Sequence, residues 1–301
     1  MKRLFTLTLA AFIAVSAMAQ SLNCGSYNIR MHSKVDYKTG DGWTERRDIM
    51  CDLVAFTAFD IFGAQEVCHD QLEYMLERLP EYNYIGVGRD DGKKKGEYSP
   101  VFYRRDRFEL LDSGTFWLSE TPDEVSYGWD AECRRVCSWG YFKDKLTKKK
   151  FWFFNTHMDH IGKMARVEGA KLVISKIEQM CGKGAKVILT GDFNVAQDSP
   201  AYNTFAQSGV LADAYNLAKV KYAPGGTFNS FKVANHSDRR IDHIFVAGVD
   251  VERYGILTYH YWSDNHGTQS ALKDAPKEIS AEHRGVHLPS DHYPVQIFVG
   301  L

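Results

Sequence analysis

Between residues 185 and 194 the chain reads AKVILTGDFN, an apolar run that stops at Gly191 and gives way at once to a carboxylate and an amide. A run this apolar must be covered on both faces, which predicts an interior strand of a buried sheet. Polar side chains at the carboxyl end of such a strand stand at the lip of the sheet, where α/β proteins hold their ligands. Taken alone, GDFN also reads as an Asx turn, because Asp, Asn and Gly are ordinary turn residues. The arrangement recurs, however. Tyr27-Asn28-Ile29-Arg30 closes one strand-like run, Gln65-Glu66 a second and Asn155-Thr156-His157-Met158-Asp159-His160 a third, while Asp242-His243 opens another and Ser290-Asp291-His292 precedes the last. Each cluster has a plain structural explanation by itself. Together, spread over the whole chain and each beside an apolar run, they predict one convergent polar site.

The rest of the pattern sets that site in a mixed sheet system. Strands are expected near 22–30, up to Glu66, and near 82–88, 100–104, 108–118, 137–144, 151–157, 186–190, 241–247, 252–259 and 294–299. Helices are expected near 44–58, 69–79, 163–181 and 200–208. So many adjacent strands argue for two packed sheets with helices outside, rather than a parallel doubly wound fold. In the third helix Met164, Val167, Leu172, Val173, Ile174, Ile177 and Met180 give a broad apolar face, closed by Gly182 and Gly184. No linker or repeat divides the chain, so residues 20–301 read as a single domain. Residues 1–19 read as a signal peptide: Lys2 and Arg3 precede an apolar stretch from Leu4 to Val15, and Ala17-Met18-Ala19 offers a small-x-small cleavage site. The stretch is shorter than the roughly 20 residues a spanning helix needs, and no later segment qualifies, so an exported protein, periplasmic or secreted and without a transmembrane segment, is expected.

Composition narrows the partners. With 37 basic against 38 acidic residues, no global field draws the chain to nucleic acid or an anionic membrane. Lys148-Lys149-Lys150 reads as a solvated hairpin loop, while Lys93-Lys94-Lys95, beside Asp90-Asp91-Gly92, is the lysine run placed to edge a substrate. The six cysteines at 24, 51, 68, 133, 137 and 181 are too scattered for a disulfide framework. A Cys133–Cys137 pairing and a reading as small buried hydrophobes both remain open, with the second favoured.

SYNIR, AQEV, FNTHMDH, LTGDFN, RRIDHIFV and LPSDHYPV, in that order, resemble the motifs of the endonuclease/exonuclease/phosphatase superfamily, the DNase I-like metal-dependent phosphohydrolases. The segment FWLSETPDEVSYGWDAECRRVCSWG resembles a bacterial exported subgroup of that family. The resemblance covers nearly all of residues 20–301. It implies a four-layer α/β sandwich of two packed mixed β-sheets flanked by helices, with the site at the rim where both sheets open.

The chemistry of a phosphate ester assigns roles within that resemblance. The anionic phosphorus must be neutralised, a water aligned in line and the departing alkoxide stabilised. Glu66, with Asn28 and Asp291, matches the family's metal positions and offers the oxygen donors that Mg²⁺, or Mn²⁺ in its place, prefers. His157 matches a phosphate contact, Asn194 would hydrogen-bond an equatorial oxygen, and His160 could add a donor. Asp192 matches the carboxylate credited as general base; His292, paired with Asp242 as its orienting acid, is the alternative. Arg135 aligns with the subgroup's arginine and is read either as a bidentate phosphate ligand or as a surface partner of Asp130 or Glu132.

Three other functions are compatible with parts of the sequence. Thr156–His160 is similar to the zinc signature of metallo-β-lactamase-like hydrolases, but Asn155 stands where its first histidine belongs. A binding module that has lost its chemistry would share the fold, although the full set of polar residues is present. A secreted nuclease would share the site. Charge balance favours a small phosphodiester, sugar phosphate or lipid headgroup, processed by a monomer, with nucleic acid as the alternative substrate.

Overall fold

A computed structural model of the protein describes residues 21–263, 269–272 and 274–301. The segment read as an export signal lies outside the described residues. In chain order the first strands are β1 (Ser21–Asn28), β2 (Ile61–Gln65), β3 (Tyr82–Ile85), β4 (Val101–Arg104), β5 (Phe108–Trp117), β6 (Val136–Asp144), β7 (Lys150–His157) and β8 (Val187–Asp192). They are followed by β9 (Ala212–Asp213), β10 (Val220–Tyr222), β11 (Asp242–Ala247), β12 (Asp250–Ile256), the two short hairpins β13 (Tyr261–Trp262) with β16 (Val286–His287) and β14 (Gln269–Ala271) with β15 (Ser280–Glu282), and β17 (Val295–Gly300). The helices are α1 (Trp43–Thr57), α2 (His69–Arg78), α3 (Lys163–Cys181), α4 (Pro200–Ala206) and α5 (Ala214–Leu217).

Two sheets result, one ordered β10-β12-β17-β1-β2-β4-β3 and the other β5-β6-β7-β8-β11-β9. Both are mixed, since β1 and β2 pair in parallel, as do β7 and β8, while their other neighbours run antiparallel. The sheets face each other across an apolar layer that includes Cys24, Ile61, Phe151, Phe153, Ile188, Ile244 and Ile297. On the outside, α1 and α2 lay Met50, Val54, Leu72 and Met75 against Phe62 and Phe102 of the first sheet. On the opposite outside, α3 and α4 lay Ala170, Val173, Ile177 and Phe205 against Phe154, Leu189 and Phe245 of the second. The architecture is therefore the expected four-layer sandwich. Strand β8 is buried at every position, as a strand covered on both faces must be.

The buried face of α3 is narrower than its sequence suggests. Ala165, Gly169, Ala170, Val173 and Ile177 turn inward, whereas Met164 is 56% exposed. Small residues on the packed side let the helix approach the sheet closely. All six cysteines are free, and Cys24, Cys51 and Cys137 are buried among apolar side chains. No described helix is long and apolar enough to cross a membrane.

A polar seam interrupts the apolar layer one residue below the rim. The Asn155 amide donates to the carbonyls of Ala64 (2.6 Å) and Pro100 (2.9 Å), and its oxygen accepts from Gln65 Nε2 (2.7 Å) and Thr190 Oγ1 (3.0 Å). Gln65 Nε2 also donates to Ser26 Oγ. Asn155, Gln65, Thr190 and Ser26 are completely buried, so the two sheets are joined through hydrogen bonds shielded from bulk solvent. Asn155 thus has a structural task, which removes it from any zinc signature.

Candidate active site

The strand directions explain why six distant clusters meet. β1, β2, β7 and β8 end at the same rim, while β11 and β17 begin there. In the second sheet, register sets His157 beside Asp192 and Asp192 beside Asp242 in one row across three strands. Gly191 lets β7 and β8 close together at this point, because a Cβ there would lie 2.5 Å from the Thr156 carbonyl oxygen. Arg30, Glu66 and Asn194, each just past a strand end, adopt left-handed backbone with φ of 59°, 60° and 52°. Non-glycine residues rarely do so, and here the turn swings each side chain back over the rim.

Asn28 bridges the two sheets. Its amide nitrogen donates to Glu66 Oε1 (3.0 Å) and to Asp192 Oδ2 (3.0 Å), while its oxygen accepts from the Arg30 N–H (3.0 Å). Glu66 Oε2 accepts from the Met31 N–H, and Arg30 Nη1 lies between Glu66 Oε2 (3.9 Å) and Asp291 Oδ2 (3.7 Å). Behind them the completely buried Arg46 donates to four carbonyls, those of Asp41, Ile29, Arg30 and Pro289. It ties the β1 exit to the loop that carries Asp291. Ser290 Oγ adds a bond to the Asn28 carbonyl (2.7 Å).

On the other side Asp192 Oδ1 accepts from the Asn194 N–H (2.9 Å), with His157 Nε2 at 3.5 Å and His292 Nε2 at 3.7 Å from Oδ2. Asp242 Oδ2 holds His292 Nδ1 at 2.9 Å. Burial, and then the charge of Asp242, push the Asp192 carboxyl up to about 7. The two histidines are driven apart. Burial works against a charge on His292, yet Asp242, Asp192 and Asp291 hold it well above the ordinary imidazole value. Burial and the positive charges of Arg135 and Arg89 hold His157 well below it. Titratable neighbours with opposed shifts in one cleft are the pattern of an acid–base site.

These residues line a cleft of about 490 Å³ that also contains Arg89, Glu97, Cys133, Arg135, His160 and Phe228. Arg135 is 5% exposed and its partner is Asp159, whose Oδ2 lies 3.4 Å from Nε, with His160 Nδ1 accepting from Nη2 at 3.1 Å. It is therefore not the surface partner of Asp130 or Glu132; Asp130 instead accepts from the N–H groups of Met164 and Ala165 at the start of α3. Every residue given a catalytic, metal-binding or phosphate-binding role from the sequence faces this one cleft or, for Asn28 and Asp242, braces a side chain that does. Lys93, Lys94 and Lys95 are exposed and do not line it. Their loop contributes Arg89 and Glu97, a bidentate pair at 2.9 Å, with Glu97 Oε2 3.8 Å from His157 Nδ1. Sequence reading placed Arg30 in the first polar cluster without a role and assigned none to Arg89, Glu97 or Arg46; for Glu97 the visible signal was an acid placed directly before the run that begins at Tyr98.

The sequence profile described as the Endonuclease/Exonuclease/phosphatase family matches residues 25–292. The chain belongs to that family. Among solved structures it is 48% identical to a family protein from Bacteroides thetaiotaomicron, with a TM-score of 0.84 over 93% of this chain and 97% of that one. It is 47% identical to a mannosyl-6-phosphatase from Bacteroides thetaiotaomicron VPI-5482, with a TM-score of 0.85 over 93% of this chain and all of that one (100%). The catalytic domain of human nocturnin, solved with a bound sulfate, shares the fold at 17% identity and a TM-score of 0.67, each chain covered to 93%.

The family's enzymes generally depend on a divalent metal, and the donor set fits one. Carboxylate oxygens of Glu66 and Asp291 converge on a single point now faced by Arg30 Nη1, and burial followed by the Glu66 charge raises the Asp291 carboxyl. Ligand atoms of Glu66, His157 and Asp192 also lie within 4.8 Å of one another. Buried carboxylates this crowded call for a cation.

Proposed function

We propose that the protein hydrolyses phosphate esters of small polar molecules, with sugar phosphates the preferred class, through in-line attack by water. The observation that carries this is Asp192, buried between two histidines of opposed charge and tied across the sheets to the cluster of Glu66 and Asp291. The likeness to a mannosyl-6-phosphatase over 93% of this chain supports the substrate class. A hard divalent cation, Mg²⁺ or Mn²⁺, held by Glu66 and Asp291 with Asn28 beside them, would supply charge neutralisation to the phosphoryl oxygens.

The chain's own groups do the rest. Asp192, oriented at one oxygen by the Asn194 N–H and at the other by Asn28, accepts the proton of the attacking water. His292, its Nδ1 held by Asp242, presents a protonated Nε2 to the phosphate or to the departing oxygen. The Asn194 amide donates to the Met158 carbonyl and meets Nε2 of neutral His157 at 3.0 Å; on binding, this pair would exchange its mutual bond for equatorial phosphate oxygens. We further propose that the protein is exported and acts as a monomer; the amino terminus recovered from outside the cytoplasm should be Gln20, and an intact Met1 would refute export.

Glu66→Gln keeps the side chain's shape but removes its charge. Turnover of mannose 6-phosphate should fall by roughly 100-fold or more, as expected when a metal-holding carboxylate is lost. The Mg²⁺ concentration giving half-maximal rate should rise with it. Full activity after chelation, or restoration by zinc alone, would refute the oxygen-donor site.

A nuclease reading has one observation in its favour, the partly exposed Phe228 (45%) packed edge-to-face on His292 in the cleft. An aromatic face can carry a nucleobase as well as a sugar. Efficient, strongly salt-sensitive cleavage of duplex DNA without turnover of sugar phosphates would establish it instead.

A further inference from the structure

The cleft ends, beyond His157, at Arg135, and this arginine is incompletely paired. Nε and Nη2 are engaged by Asp159 and His160, but Nη1 is buried without a hydrogen-bond partner among the described residues. Asp159 can offer little more, since its Oδ1 accepts the N–H groups of Ile161 and Gly162 and its Oδ2 that of Cys133. Arg89, also in the cleft, commits both terminal nitrogens to Glu97, while its Nε has no hydrogen-bond partner among the described residues. A buried guanidinium with a free amino group is costly unless a ligand completes it. Exposed His160 lies at the same end of the cleft.

We propose that Arg135, positioned by Asp159 and assisted by His160, makes the site select phosphate monoesters over diesters by binding the third non-bridging oxygen. The inference rests on the phosphoesterase reading above. A diester carries one negative charge on two free oxygens, whereas a monoester near neutral pH approaches two charges on three. His157 and Asn194, with the cation, serve two oxygens. The third needs a further cationic donor, and Arg135 is the guanidinium in the cleft with a terminal amino group buried and without a hydrogen-bond partner among the described residues, since both of Arg89's are spent on Glu97. In a diester that same oxygen bears a carbon substituent. The substituent would take the place of that acceptor and leave the buried Nη1 of Arg135 without a hydrogen bond, beside His160 of the cleft lining.

The test is binding first and turnover second, on the full chain with Mg²⁺ present. By titration calorimetry the wild type should bind inorganic phosphate roughly 10- to 100-fold more tightly than dimethyl phosphate, the worth of one charge-assisted hydrogen bond. Arg135→Ala should erase most of that difference, and Arg135→Lys, which keeps the charge without the planar fork, should restore part of it. The ratio of kcat/KM for p-nitrophenyl phosphate to that for bis(p-nitrophenyl) phosphate should fall by a similar factor. Equal affinities in the wild type, or equal weakening of both ligands in Arg135→Ala, would overturn the proposal and leave Arg135 a structural residue. Selective phosphate binding without hydrolysis of either ester would sustain it while refuting the catalytic reading.

Discussion

Asp192→Asn should lower kcat for sugar phosphate hydrolysis by about three orders of magnitude, within the range expected when a positioned general base is removed. The replacement keeps the shape of a side chain that is only 1% exposed, and its Oδ1 can still accept the Asn194 N–H. The proton acceptor at Oδ2 is lost, together with the bond that Asn28 donates to that oxygen. In the wild type, burial and the Asp242 charge hold this carboxyl up at about 7. A base works deprotonated, so kcat/KM should rise with pH through the neutral range, and the rising limb should vanish in the variant. A cation bound beside it favours the carboxylate, so the midpoint should move to lower pH as Mg²⁺ is raised. Rates on a pH series at two metal concentrations, with thermal melting as the control for folding, decide the matter. Loss of less than about tenfold, with the limb retained, would transfer the role to His292, the alternative that the sequence leaves open.

Gly63→Ala should be the most damaging small change to stability. A Cβ at this position would lie 2.2 Å from both Asn155 Oδ1 and Thr190 Oγ1, closer than real atoms approach. Neither neighbour can yield cheaply. Asn155 is held by the carbonyls of Ala64 and Pro100 and by Gln65, and Thr190 Oγ1 bonds back to Asn155. Either the sheets part or the amide swings away and leaves buried polar groups unpaired, at about 1–3 kcal/mol for each group. A total on the order of 4 kcal/mol is expected, read from urea unfolding. A loss under about 1 kcal/mol would mean that the seam yields without breaking. Activity should fall as well, since Gln65 and Asn155 stand one and two residues from Glu66 and His157.

The architecture was legible because its signal is local. Apolar runs ending in Asn28, Glu66, His157 and Asp192, and one beginning after Asp291, mark the strands, and the parallel and antiparallel pairing then brings these positions to a shared rim. Elements whose existence depends on distant partners were not legible: β9 and β10 have two and three residues, and their sequences carry no period of their own. The site divides the same way. Residues at strand ends were found, whereas Arg46 reads as one more charge on an amphipathic helix until carbonyls from residues 29, 30, 41 and 289 are seen to surround it. Arg135 was ambiguous for a related reason. Its partner Asp159 stands 24 positions away, so the nearer Asp130 and Glu132 competed for it.

The pairing of β1 with β17 has a consequence for how activity arises during synthesis. Ser21–Ser26 hydrogen-bond with Val295–Gly300 in the middle of the seven-stranded sheet, and Asp291 and His292 immediately precede that last strand. A ribosome-bound chain that has exposed Asn28 and Glu66, and even Asp192, still has a gap where β17 will insert. The cleft is thus completed only once Asp291, His292 and the strand after them have emerged, and a polypeptide interrupted before them lacks both side chains and the strand that seats them.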